Sequence, residues 1–192
     1  IGEIKKIISS FGINLITKKY FWLFKKKRKI NKESRLFNKK LGGGCILDLG
    51  CYPVSFITML LEKLNFINFE DYKVLNKKVE IGETGVDIDS KIEMKVNGKI
   101  TIKLSSSFKQ NIGFATKIHG SRGSIEIINT WTGSPSIILK KENNKNIIRI
   151  DQIDDIYFDQ LNIISNDLLN KSNGQNIDNM LLNMKIIDQW LN

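Results

Sequence analysis

Residues 86–96 alternate apolar and polar with a period of two, the pattern of a strand with one buried face. Asn97-Gly98 follows, a pair that tolerates the positive φ angles of a two-residue type I′ turn. Residues 99–104 return with Ile100, Ile102 and Leu104 on one face. This hairpin constrains the fold more than any other feature, because it commits the middle of the chain to antiparallel pairing. A strand at 72–81 precedes it, and further strands are expected at 114–119, 124–129, 136–141 and 147–150. Residues 3–16 read as an earlier strand, with Ile4, Ile8 and Ile16 among its apolar positions. The expected class is α+β: a large, mostly antiparallel, open-faced sheet with helices packed on one face. Such a sheet has more apolar face than few helices can cover, so a homo-oligomer through the open side is expected. A polar far face is the alternative.

The helices frame this sheet. Residues 45–64 carry Phe56, Ile57, Leu60, Leu61 and Leu64 at helical spacing. Pro53 removes a backbone donor, which predicts a kink just after Tyr52. Tyr157, Leu161, Ile164, Leu168 and Leu169 mark a second helix. Ile177, Met180, Leu181, Met184, Ile187 and Leu191 mark a third, with Asn176 as its candidate cap. Gly42, Gly43 and Gly44 precede the first helix. Three residues without Cβ can take positive φ or let a ligand approach the backbone. Asp48 and Tyr52 stand four apart, on one helical face. A carboxylate beside a phenol can orient a hydroxyl and exchange its proton. Spacing alone fits an ordinary surface helix equally well.

The net charge is +10. Eleven basic residues lie between Lys18 and Lys40, against Glu33 alone, so this segment accounts for the whole excess. It reads as a long loop at 18–41 leading into the glycine run. A solvated loop is the preferred reading, nucleic acid is disfavoured, and Arg35 is the candidate contact for an anionic substrate. Cys45 and Cys51 are spaced unlike a CxxC pair and lack partners for zinc, so no metal site is expected. Reduced cysteines make a cytoplasmic protein the simplest reading. No continuous apolar run approaches the ~20 residues of a membrane span. His119, the one histidine, receives no role.

The string Gly42-Gly43-Gly44 through Asp48, Gly50, Tyr52 and Pro53 resembles the signature of the Gfo/Idh/MocA oxidoreductases, in the branch of dimeric dihydrodiol and sugar dehydrogenases. Residues 1–12 resemble the opening of that family's second domain, 117–127 its Gly-x-x-Gly hairpin, and 179–190 its closing helix. The resemblance spans nearly the whole chain. It implies a glyceraldehyde-3-phosphate dehydrogenase-like C-terminal domain, here residues 1–192 as one substrate and oligomerisation unit. It further implies hydride transfer between NAD or NADP and a sugar-like or diol CH–OH group. Tyr52 would be the acid/base, Asp48 would align the substrate, Gly43 and Gly44 would meet substrate, and Gly42 and Gly43 would meet cofactor. A free phenol keeps its proton to about pH 10, so a neighbouring positive charge would be needed to draw it off. The family's Rossmann domain and its Glu-Lys-Pro motif have no counterpart in this sequence. The chain is therefore expected to be the C-terminal part of a longer enzyme, inactive alone, with the cofactor bound mainly by the other domain. The rival reading is a non-catalytic binding or assembly module using the basic loop or the open sheet.

Overall fold

The computed structural model describes residues 1–20, 24–64, 72–131, 135–142, 144–150, 156–170 and 177–192. Its centre is an eight-stranded sheet in the order β10-β9-β8-β7-β1-β6-β5-β4. The strands are β1 (Ile4–Gly12), β4 (Tyr72–Ile81), β5 (Asp87–Val96), β6 (Ile100–Ser107), β7 (Thr116–Gly120), β8 (Gly123–Ile128), β9 (Ser136–Lys141) and β10 (Asn144–Arg149). Only β1 and β6 run parallel; every other neighbour is antiparallel. The hairpin read from sequence is present, with Asn97 at φ 49° and Gly98 at φ 63°, the sign pattern of a type I′ turn.

Among the described residues three α-helices accompany the sheet: α1 (Cys51–Lys63), α2 (Ile156–Asn170) and α3 (Ile177–Leu191). Val54, Ile57 and Leu61 of α1 and Leu182, Ile186, Ile187 and Trp190 of α3 pack with Ile7, Ile92, Met94, Ile102 and Leu104 of the sheet. One face of the sheet is thereby covered. Segment 39–63 is long and apolar enough to cross a membrane by length and composition alone. Its apolar side is instead spent on this core.

Several expectations need correction. β1 ends at Gly12 rather than 16, because Asn14 Oδ1 accepts the Ile16 and Thr17 amides and turns the chain. The basic segment is no plain loop. It opens with a two-stranded hairpin, β2 (Thr17–Tyr20) and β3 (Phe24–Lys27), that sets Lys18 opposite Lys26. The helical irregularity falls before Tyr52, as a π-helical turn at Ile46–Gly50. Pro53 then sits in the first turn of α1, where a missing amide costs little. α3 presents Leu182, Ile186 and Trp190 to the core, while Met180, Leu181 and Met184 are exposed. That helix is apolar on two sides, so periodicity could not choose between them. Leu161, Ile164, Leu168 and Leu169 of α2 are exposed rather than packed. Asn176 and the side chains of Tyr157 and Ile177 lie outside the described residues.

Among the described residues the outward face of the central strands is not the expected apolar one, and Ile128, Ile138 and Ile147 are confined to the β10 side. Outward positions are largely charged or polar: Lys117 pairs with Glu126 at 2.9 Å and Lys103 with Glu93 at 2.8 Å. In the adjacent row the register aligns Lys145 with Lys140 and Lys95 with Lys73. Apolar burial therefore supplies little drive for assembly through the central strands.

Trp190 is fully buried against Gly50, and its indole N–H has no hydrogen-bond partner among the described residues. Trp190→Ala should cost about 3–5 kcal/mol in urea unfolding. Trp190→Phe should cost under half as much, since it removes an unpartnered donor. Equal costs would contradict this packing account.

Candidate active site

The site is built where the chain enters α1. A 3₁₀ turn at Lys39–Leu41 closes on Gly42, which adopts φ 71° and donates its amide to the Lys39 carbonyl at 3.2 Å. This left-handed residue ends the turn. Gly43 is buried. A Cβ there would lie 2.7 Å from the Arg35 carbonyl and 2.8 Å from that of Leu36. Gly44, at φ 126°, donates to the Leu36 carbonyl at 3.0 Å, and a Cβ on it would lie 2.1 Å from Asp87 Oδ1. Asp87 itself is buried, and its Oδ2 accepts the Ile46 amide at 2.7 Å. A carboxylate here meets the positive end of the incoming helix. Gly43 and Gly44, expected to face ligands, spend their bareness on packing inside the chain.

The π turn and first turn of α1 then present Asp48 and Tyr52. Asp48 Oδ1 accepts from Arg35 Nη2 at 2.5 Å; the Asp48 side chain is 19% exposed and that of Arg35 62%. Two residues singled out from sequence are thus joined. Tyr52 is half exposed. Its ring lies edge-on to Phe11 at 5.3 Å and tilted against Trp131 at 6.1 Å. Trp131 stacks on Phe11 at 6.0 Å and donates its indole N–H to the Ser10 carbonyl at 3.0 Å. Phe56 and Phe114 complete this aromatic wall. The wall fixes the ring, while the phenol oxygen has no hydrogen-bond partner among the described residues. The arrangement sets an accessible phenol four residues from an anchored carboxylate and against an aromatic wall.

The cysteines offer no competing nucleophile. Burial pushes the Cys45 thiol far above its ordinary range, with the Asp87 charge adding to it. Burial, then the Asp48 charge, also raises Cys51. Both stay protonated at neutral pH, and the thiolate is the reactive form. His119 lies on β7, facing Lys6 of β1 in the sheet register. Among the described residues no group of three or more potential metal ligands occurs.

Sequence reasoning missed Asp87 and the aromatic wall. Asp87 opens a strand whose alternation reads as ordinary. The wall draws on positions 11, 56, 114 and 131, and only the tertiary fold brings these together. The unmatched Trp131, beside a turn, was the one available signal.

Comparison with known proteins places these features in context. The family model described as GFO/IDH/MocA C-terminal domain matches residues 1–126. The trans-1,2-dihydrobenzene-1,2-diol dehydrogenase of Xenopus tropicalis is 31% identical over 145 residues, covering 76% of this chain and 38% of that protein. Its Xenopus laevis counterpart is 30% identical over the same length. The chain thus spans well under half of the curated relatives it matches. Among solved structures, KijD10, a 3-ketoreductase from Actinomadura kijaniata in complex with NADP and TDP-benzene, superposes with a TM-score of 0.77 at 15% identity. It covers 98% of this chain and 53% of that one. The aldose-aldose oxidoreductase from Caulobacter crescentus, complexed with glycerol, gives 0.76 at 15% identity over 98% and 52% of the two chains. At this identity the two structures establish a shared fold.

The glycines make a testable contrast. Gly44→Ala must displace Asp87 and free the Ile46 amide, whereas a Cβ on Gly42 meets only Leu47 at 3.9 Å. Gly42→Ala should cost about 1 kcal/mol for its positive φ, and Gly44→Ala at least about 2 kcal/mol more in denaturant unfolding. The reverse order would contradict the role given to Asp87.

Proposed function

The chain belongs to the GFO/IDH/MocA family as its C-terminal domain, and from that membership we propose that it forms the substrate side of a nicotinamide-dependent oxidoreductase acting on a CH–OH group. The observation that carries this is Tyr52, held by aromatic rings with its hydroxyl accessible, four residues from an anchored carboxylate. The named relatives are diol dehydrogenases, which supports a diol or sugar-like substrate.

The helix N-terminus in this site is not a phosphate cradle. The Ile46 amide is given to Asp87, and the Gly43 and Gly44 amides to Asn38 and Leu36 carbonyls. A dinucleotide pyrophosphate needs such amides free, so these residues do not fit it. The proposal assigns cofactor binding mainly to another domain of the full-length protein. Gly42, the exposed member of the run, is the one assigned to the nicotinamide end. When bound, NAD or NADP supplies hydride chemistry.

The chain's own residues handle position and proton. Asp48 accepts a hydrogen bond from a substrate hydroxyl, using the carboxylate oxygen that Arg35 leaves open. Arg35 fixes the direction in which that oxygen points. The faces of Phe11 and Trp131 hold the apolar side of the substrate ring and exclude water there. Tyr52 takes the hydroxyl proton on oxidation and returns it on reduction. The wall holds the Tyr52 ring, so its oxygen needs little reorganisation to reach that proton.

Tyr52→Phe in the full-length protein should lower kcat by about 10²–10⁴-fold, the usual worth of a general acid/base, while NAD(P)H affinity stays within about twofold. Unchanged turnover would remove Tyr52 from the reaction.

A further inference from the structure

The guanidinium of Arg35 is held more firmly than its exposure suggests. Arg35 opens a 3₁₀ turn at Arg35–Phe37 whose last residue is buried. The carbonyls of Arg35 and Leu36 press on Gly43, and that of Leu36 accepts the Gly44 amide. At its far end Nη2 contacts one oxygen of Asp48. The backbone and the charged tip are therefore both fixed. A guanidinium carries five N–H donors in a planar fork, and Asp48 is its one partner among the described residues. The remaining donors belong to a side chain that is 62% exposed.

The surroundings carry surplus charge of the same sign. Arg28, Lys29, Lys32, Lys39 and Lys40 are exposed along this loop, and Glu33 is the one acid between residues 28 and 40. Pairing with Asp48 cancels the charge of Arg35 itself; Glu83 pairs with Lys27 and offsets Lys32, and Arg28, Lys29, Lys39 and Lys40 leave the segment net positive. A neutral ligand gains nothing from that field. An oxyanion gains both the steering and the open edge of the fork.

We propose that Arg35 makes this site selective for substrates carrying an anionic group, a carboxylate or a phosphate, on the same small molecule as the reacting hydroxyl. The proposal rests on the reading of Asp48 and Tyr52 as the substrate side of the site. The anion takes the outward edge of the guanidinium and the hydroxyl lies toward Tyr52. Arg35 then has two duties, orienting Asp48 and binding the substrate's charge. Lysine could supply the charge but not the planar fork.

Calorimetric binding of glucose, glucuronate and glucose 6-phosphate to the full-length protein tests this, at low salt, with Arg35→Lys and Arg35→Met alongside. The native protein should bind at least one of the two anions about tenfold or more tightly than glucose. Arg35→Met should abolish that preference, lowering anion affinity about tenfold more than glucose affinity, which itself falls as Asp48 loses its orienting partner, and Arg35→Lys should keep part of it. Which anion is preferred tells carboxylate from phosphate. Equal affinity for all three ligands, a preference that survives Arg35→Met, or parallel loss of glucose and anion binding would overturn the proposal. So would failure of both anions to bind at millimolar concentration. Binding is read without turnover. An absence of hydride transfer would count against the oxidoreductase reading and leave this comparison intact.

Discussion

The buried carboxylate of Asp87 joins two parts of the molecule that are distant in sequence. It lies on the first residue of β5, covers the bare Cα of Gly44, and accepts the Ile46 amide at the start of the π turn. A buried carboxylate is costly unless it is hydrogen-bonded, and a helix start leaves amides that need acceptors. Each need meets the other here. The contact sets where the helix begins, and thereby where Asp48 and Tyr52 emerge. A side chain at position 44 would occupy the space of the carboxylate, which makes glycine a packing requirement.

From that anchored start the site divides into two sides with different physics. One is polar. The 35–44 segment folds onto the glycines, and the ion pair between Arg35 and Asp48 ties it to the helix. Such a pair, partly exposed, adds little stability, and its value is directional. The other side is aromatic. Phe11 at the end of β1 and Trp131 beyond β8 flank the ring of Tyr52, and Phe56 on α1 backs Trp131. Trp131 is itself fixed by its hydrogen bond to Ser10. β1 pairs in parallel with β6 and antiparallel with β7, and its end is where these elements converge.

The sequence made local features legible and left tertiary ones hidden. The β5–β6 hairpin was readable because alternation and the Asn97-Gly98 turn agree. The strands after it were placed to within a few residues for the same reason. Asp48 and Tyr52 stood out as a motif, and a helix with its apolar stripe followed them. The partner of Asp48 was not readable, because Arg35 reaches it through a loop that no periodicity describes. Neither was the buried side of α3, which offers two apolar faces and lets Trp190 decide. The glycine run was legible as a place of close approach. The approaching group proved to be the chain's own Asp87 and 35–36 backbone. The basic segment drew attention to charge and concealed a hairpin, since lysine is a poor marker of strands.

The central claim is a division of labour, in which this chain supplies the proton-transfer and substrate side while the cofactor is held elsewhere. A fluorescence titration of NADH and NADPH into the purified 192-residue chain tests it most directly. The account predicts no saturable binding, because the amides at the helix start are already engaged. Saturable binding of either cofactor to this chain alone would contradict it.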